Sequence, residues 1–231
     1  MPISPPPFAV LTGDLVASSR HSGRRLRSVR ALLEESVQKM SGWGQDLVQG
    51  GPEFFQGDAW QLLLRQPALA LRASLFLRAV LQAESPAQTR ISIGLGAVDD
   101  LSANGLGSST GEAFTLSGRG LREMKNRQWL ALQLPDRMGR LCPWVRLTAA
   151  FCDVLAGDHT QRQADVLCHA LHPAGLTHEQ IRSQLHRNVS RQTVTKSLQS
   201  LHWAVLRDAL ETFEATDWPD LLQPSPSERN L

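Results

Sequence analysis

Apolar positions along this chain follow strand-like and helix-like periods in turn. Phe8 to Leu11 form a short apolar run before Gly13-Asp14, and the polar stretch Ser18 to Gly23 leads into a long helical pattern. There Leu26, Val29, Leu32, Leu33, Val37 and Met40 recur at three- and four-residue spacing and mark one buried face. The glycine-rich segment Ser41 to Gly51 reads as a loop. Phe54 to Leu64 then reads as two strands meeting at Gly57-Asp58, a two-residue hairpin signal that places Asp58 at the tip. Pro67 opens a second helix with Leu71, Leu75, Leu77, Ala79 and Leu81 apolar and with Arg72 and Arg78 on its polar side. Arg90 to Val98 alternates apolar and small residues as a central strand does, and Gly94 and Gly96 call for a helix packed close against it. A Gly-, Ser- and Asn-rich loop, Asp99 to Thr110, feeds a helix over Glu112 to Lys125, and Gln128 to Leu134 makes a last strand. The predicted order is β-α-β-β-α-β followed by α-β, an α+β fold with a ferredoxin-like core and helices on one face of the sheet.

From about residue 136 the pattern becomes helical throughout. Residues 136–142 read as a linker between a domain at 1–135 and an all-α domain at 143–216, with 217–231, rich in proline and serine, as a frayed tail. Trp144 to Leu155 is one helix, carrying Val145, Leu147, Phe151 and Leu155 as its apolar positions, and Gln161 to Leu171 is another. Thr177 and Gln180 form a capping box before a short helix with Ile181 and Leu185 apolar. Ser190 caps the next helix, where Val194, Leu198 and Leu201 are spaced for burial and Arg191, Gln192, Thr195, Lys196 and Gln199 face outward. The final helix spans Ala204 to Phe213.

Two short capped helices with a polar, cationic second one describe a helix-turn-helix, whose second helix enters the major groove. Arg191 and Gln192 suit guanine and adenine edges, and Ser190, Thr195 and Lys196 suit phosphate. A helical hairpin that packs an interface is the other reading of the same residues. The net charge of the 231 residues is only +2, so any nucleic-acid surface must be local. The start, Met-Pro-Ile-Ser-Pro-Pro-Pro, has no signal-peptide pattern, and no apolar run reaches the roughly 18 residues that span a bilayer, so a cytoplasmic location is expected. Cys142, Cys152 and Cys168 are odd in number and far apart, which suits reduced thiols; Cys168 with His169 and His172 lacks a second ligand pair at zinc spacing.

Gly13-Asp14 and Gly57-Asp58 both fall at ends of strand-like runs. Carboxylates at such positions suit a hard cation such as Mg²⁺ shared with phosphate, and the same dipeptide also serves as plain turn chemistry. Arg24, Arg25, Arg27 and Arg30 crowd a helix start, where an anion offsets their clash with the helix dipole or water solvates them.

The segments TGDLVASSR, QGDAWQLL, RISIGLGAV and GEAFTLSGRGL together resemble the SatD family, a bacterial branch of the class III nucleotidyl cyclase fold, over most of residues 8 to 134. That resemblance implies that Asp14 and Asp58 hold Mg²⁺ or Mn²⁺ at a nucleoside triphosphate. It also implies that Thr115 and Arg119 stand where cyclases carry an asparagine and a transition-state arginine. Phe54 replaces a base-reading lysine, and threonine lacks the asparagine's amide donor. The expectation is a DNA-binding transcriptional regulator whose cyclase-like domain binds a nucleotide or phosphorylated ligand, working as a homodimer without a membrane. An active divergent cyclase is the alternative, and a non-catalytic interaction adaptor the third reading.

Overall fold

The computed structural model describes residues 6–16, 23–55, 57–85, 87–157, 159–185 and 189–223. Five strands form one sheet: β1 (Phe8–Val16), β2 (Val48–Phe55), β3 (Ala59–Leu64), β4 (Gln88–Gly96) and β5 (Leu130–Gln133). They lie in the order β2-β3-β1-β4-β5, antiparallel except for the parallel pair β4–β5. α1 (Gly23–Ser41) and α2 (Ala70–Glu84) cross one face, where Leu11 and Leu15 of β1 meet Trp60, Leu62, Ile91 and Ile93.

α3 (Glu112–Glu123) lies on the other face, which corrects the expectation of helices on one side alone. Because strand side chains alternate, the even-numbered residues of β1 point away from α1 and α2. Phe8 and Val10, with Leu63, therefore need their own cover, and Ala113 and Phe114 of α3 supply it. The mixed α/β architecture and the hairpin at Gly57-Asp58 match the sequence reading.

Gly13 differs from Gly57 in its physical role. Gly57 has φ +88° and open space around it, as a hairpin tip requires. Gly13 is not a turn residue: β1 runs on to Val16, and a Cβ on Gly13 would come 2.6 Å from Cζ2 of Trp60. The buried Trp60 indole lies across that strand position and donates from Nε1 to the Thr89 hydroxyl at 3.0 Å.

α4 (Leu141–Leu155), α5 (Gln161–Ala170), α6 (His178–Gln184), α7 (Arg191–Ser200), α8 (Trp203–Glu214) and α9 (Trp218–Leu221) make up the second half. They share one apolar core with the sheet, with α5 packed along α2. α2 is thus covered on both sides, and its supposed polar side is interior. Arg72, 4% exposed, forms a two-pronged pair with Glu214 of α8 at 2.5 and 2.9 Å, and Arg78 pairs with Asp153 of α4 at 2.6 Å. Residues 136–142, read as a linker, pack against the rest of the chain. Arg137 holds Glu112 of α3 and donates to the Leu222 carbonyl at 2.8 Å, and Cys142 is buried. Residues 217–222 correct the frayed-tail expectation as well: Trp218 is buried with its ring 4.6 Å from Phe213, and only 224–231 lie outside the described residues.

All three cysteines are buried and free. Burial pushes the Cys152 thiol from 9.0 up to about 11, with the Asp153 carboxylate adding to it, and burial pushes Cys168 further in the same direction. A thiol held protonated by folding adds stability in full below pH about 9, and that stability is lost as pH rises through about 11. Native protein at pH 8 is expected to give almost no reaction with a disulfide-exchange reagent, and guanidinium-unfolded protein should give three equivalents. Rapid labelling of the native chain would contradict the packing.

Candidate functional site

Asp14 and Asp58 come together. The register places Asp14 opposite Ala59 on one side and Arg90 on the other, and the backbone N–H of Leu15 donates to the Asp58 carbonyl at 3.1 Å. Hairpin tip and β1 end are thereby tied. Arg30 of α1 secures the same tip: its Nη2 donates to the Gly57 carbonyl at 2.5 Å, and its guanidinium sits 4.9 Å from the Phe54 ring centre. Phe54 supports that arginine with the face of its ring. Arg24 and Arg27 are exposed, and the side chain of Arg25 lies outside the described residues.

A cleft of about 410 Å³ opens here, lined by Asp14, Asp58, Arg90, Lys125, Arg127 and Trp129 among others. Arg90 grips the Asp14 carboxylate with both prongs; Nε to Oδ1 is 2.9 Å, and Nη2 pairs with Oδ2. That hydrogen bond, with the Asp14 charge, raises the arginine's pKa against the effect of burial. Lys125 and Arg127 are exposed on the turn after α3, with Arg127 at φ +66°. A non-glycine residue in this left-handed region is held by its surroundings, and such positions cluster where ligands bind. Three cations and two carboxylates thus face one cavity.

The other two candidates do not join them. Ser117 and Gly120 of α3 face the sheet, with the Ser117 hydroxyl 2.8 Å from that of Thr12. Thr115 and Arg119 lie away from it, outside the cleft; Thr115 is exposed and its hydroxyl bonds the Gly111 carbonyl at 3.2 Å. Within one chain Arg119 is separated from the aspartates. Among the described residues no group of three or more His, Cys, Asp or Glu is placed to hold a metal.

Sequence reasoning missed Arg90, Lys125, Arg127 and Trp129. Arg90 becomes a partner of Asp14 only once β1 and β4 are known to pair in this register. Lys125 and Arg127 carried a weak signal, a polar Lys-Asn-Arg run at the end of a helix, but their convergence depends on α3 crossing the far face of the sheet.

In the C-terminal half the two caps form as read. The Gln180 side chain accepts from Thr177 N–H at 2.8 Å, and the Ser190 hydroxyl accepts from Thr193 N–H at 3.1 Å. Val194, Leu198 and Leu201 are buried, and Arg191, Gln192 and Lys196 are exposed along α7. Thr195 leaves the outward set. It is half-buried, bonded to the Arg191 carbonyl at 3.1 Å and 3.0 Å from Nδ1 of His178 on α6. The expected connection between the helices falls mostly on 186–188, outside the described residues.

A larger cleft of about 640 Å³ lies between α1, α2 and α5, lined by Trp43, Phe76, Cys168, His169 and His172. Among its lining residues His169 meets Gln184 at 3.0 Å and Lys39 pairs with Glu35 at 2.9 Å. Compared with models of known protein families and with curated proteins, the chain matches none.

Proposed function

We propose that this protein is a DNA-binding regulator that senses a nucleotide or phosphorylated ligand in the Asp14–Asp58 cleft. The observation that carries the reading is the convergence of Arg90, Lys125 and Arg127 with two carboxylates in one cavity. Cations take phosphate oxygens, and a half-exposed Trp129 at the rim offers a face for a base. Two carboxylates are what Mg²⁺ or Mn²⁺ commonly takes from protein when phosphate and water complete its shell. The donor set therefore fits a metal that arrives with a phosphate, with Asp14 available to it when Arg90 turns to the phosphate instead. Such a metal would neutralise phosphate charge there.

Support for the ferredoxin-like, cyclase-like reading comes from the strand order and from the hairpin between β2 and β3 that carries Asp58. The helix-turn-helix reading is supported by the two capped helices and by exposed Arg191, Gln192 and Lys196. The link between the two is mechanical. α5 rests on α2 in a shared core, so a ligand that favours one arrangement of the sheet face biases the helices behind it. An active cyclase is the second reading, favoured by the outward side of α3: Arg119 there suits the cleft of a second subunit.

The test is thermal stability with each nucleoside triphosphate and Mn²⁺. Ligand at 100 times its dissociation constant stabilises by about 2.7 kcal/mol. The shift should vanish in Asp58→Asn and persist in Lys196→Ala, whereas Lys196→Ala should lower the salt dependence of duplex binding by about one unit of slope. No shift with any nucleotide, or no salt-dependent duplex binding, overturns the corresponding half; a cyclic product in the same samples would make the protein an enzyme.

A further inference from the structure

Helix α4 has two apolar faces of opposite character. Cys142, Val145, Ala149 and Cys152, small or medium in size, turn inward toward β5 and α8. Trp144, Leu147, Phe151 and Val154, the bulkier set, turn to solvent with 69%, 45%, 61% and 76% exposed. A core helix places its bulk inward, so the inversion is a demand for cover. Single exposed leucines are ordinary; a continuous stripe headed by a tryptophan is not. With the usual areas of such side chains the stripe presents roughly 500 Å² of apolar surface, the size of the largest patches on monomers, which are often functional, and more than half of the roughly 800 Å² that one partner gives to a standard interface.

We propose that this stripe is a homodimer interface in which two α4 helices cross antiparallel about a two-fold axis. The outward residues are spaced three, four and three, the a and d positions of two heptads, which is the narrow seam that packs against another helix. Thr148 and Ala150, beside the seam, carry no charge. Two identical helices therefore meet without like-charge repulsion, and the seam has none of the flanking charges that would select a different, charged helix. Bulk decides the direction. Antiparallel pairing sets Trp144 against Val154 and Leu147 against Phe151, so every layer joins a larger residue to a smaller one. Parallel pairing would stack tryptophan on tryptophan at one end and valine on valine at the other, crowding one layer and hollowing the next. A patch complementary to itself in this way makes an isologous, closed contact.

Val154 ends the seam in the same hollow as Arg127 and Trp129, so the second copy borders the candidate cleft. The interface rests on the seam alone and is tested separately from the nucleotide reading.

Sedimentation equilibrium of the full chain at micromolar concentration should give twice the 25.5 kDa chain mass. Phe151→Asp and Leu147→Asp should each weaken association by about 100-fold or more while the circular-dichroism melt stays cooperative, since both positions are exposed in the single chain. Val205→Asp, at an exposed apolar residue on α8, should leave the dimer intact. Should Phe151→Asp fold poorly, Leu147→Gln gives the same reading. With the native thiols buried, a mixture of Trp144→Cys and Val154→Cys should cross-link on oxidation, and Val154→Cys alone should not. A monomeric wild type, a dimer that survives both aspartate substitutions, or cross-linking of Val154→Cys alone overturns the proposal.

Discussion

Asp153→Ala is expected to remove about 3 to 5 kcal/mol of stability, a large share of what a domain of this size possesses. The Asp153 side chain is 8% exposed, and each of its oxygens has a structural duty. Oδ1 accepts from Arg78 at 2.6 Å, while Oδ2 accepts from the backbone N–H of Trp129 at 2.9 Å and of Leu130 at 3.1 Å. Alanine would take the carboxylate partner from a largely covered guanidinium and leave two donors at the start of β5 without their acceptor. Both losses act at one place. The cost of breaking such a pair exceeds the net worth of the pair, because most of it is the charge left behind. Arg78→Met combined with Asp153→Ala should therefore recover part of the loss, measured as the urea midpoint at constant slope. Asp153→Asn keeps an oxygen for the two N–H groups and should fall between. The same change should weaken ligand binding in the Asp14 cleft, since Trp129 lines that cavity. If Asp153→Ala is nearly neutral, the carboxylate is not the anchor between α4, α2 and β5.

Asp153 was not legible in the sequence, and the reason is instructive. It stands between Cys152 and Val154 on a helix read by its large apolar residues, and a lone carboxylate there looks like solvent-facing polarity. Arg72 and Arg78 misled in the same way. Helical periodicity tells which residues share a face, but not whether a polar face meets water or another helix. Once α5 and α8 cover α2, the arginines become interior ion pairs. What local chemistry dictates was readable: the caps at Thr177 and Ser190, the hairpin at Gly57, the apolar run of β1 and the alternation of β4; Asp14 and Asp58 were candidates for one site, but their meeting rests on the β1–β3 register. What depends on register or on layering was not. Arg90 opposite Asp14 is a register fact, and the cationic turn at Lys125 and Arg127 reaches the cleft only because α3 lies on the second face. The inverted helix α4 belongs with these. Apolar spacing predicted its helix, but Leu147 and Phe151, read as its apolar face, are the residues it exposes.

The layering itself is open to a direct test through Gly94, where substitution by alanine is expected to cost about 3 kcal/mol. A Cβ at this position would meet the Ala113 carbonyl oxygen and come 2.5 Å from the Ser117 amide nitrogen, both backbone atoms of α3. Neither atom can rotate aside, so α3 must lift from β4. Lifting it parts the Thr12–Ser117 hydroxyl contact and loosens the cover over Phe8, Val10 and Leu63. For a chain of this length the loss corresponds to a fall in melting temperature of about 6 to 12 °C. Gly120→Ala is a graded companion: its Cβ would meet side-chain atoms, Oγ of Ser92 and Cγ of Gln133, and flexible Gln133 can yield, so about half the cost is expected. Gly50→Ala separates crowding from backbone strain, because Gly50 has φ +74° with nothing near it and should lose only about 1 kcal/mol. α3 runs directly into the turn that carries Lys125 and Arg127. Gly94→Ala should consequently weaken nucleotide-dependent stabilisation more than Gly50→Ala does, even where both are folded. Equal stability for Gly94→Ala and the wild type would mean that α3 does not lie against β4, and the route by which the cationic turn reaches Asp14 would fall with it.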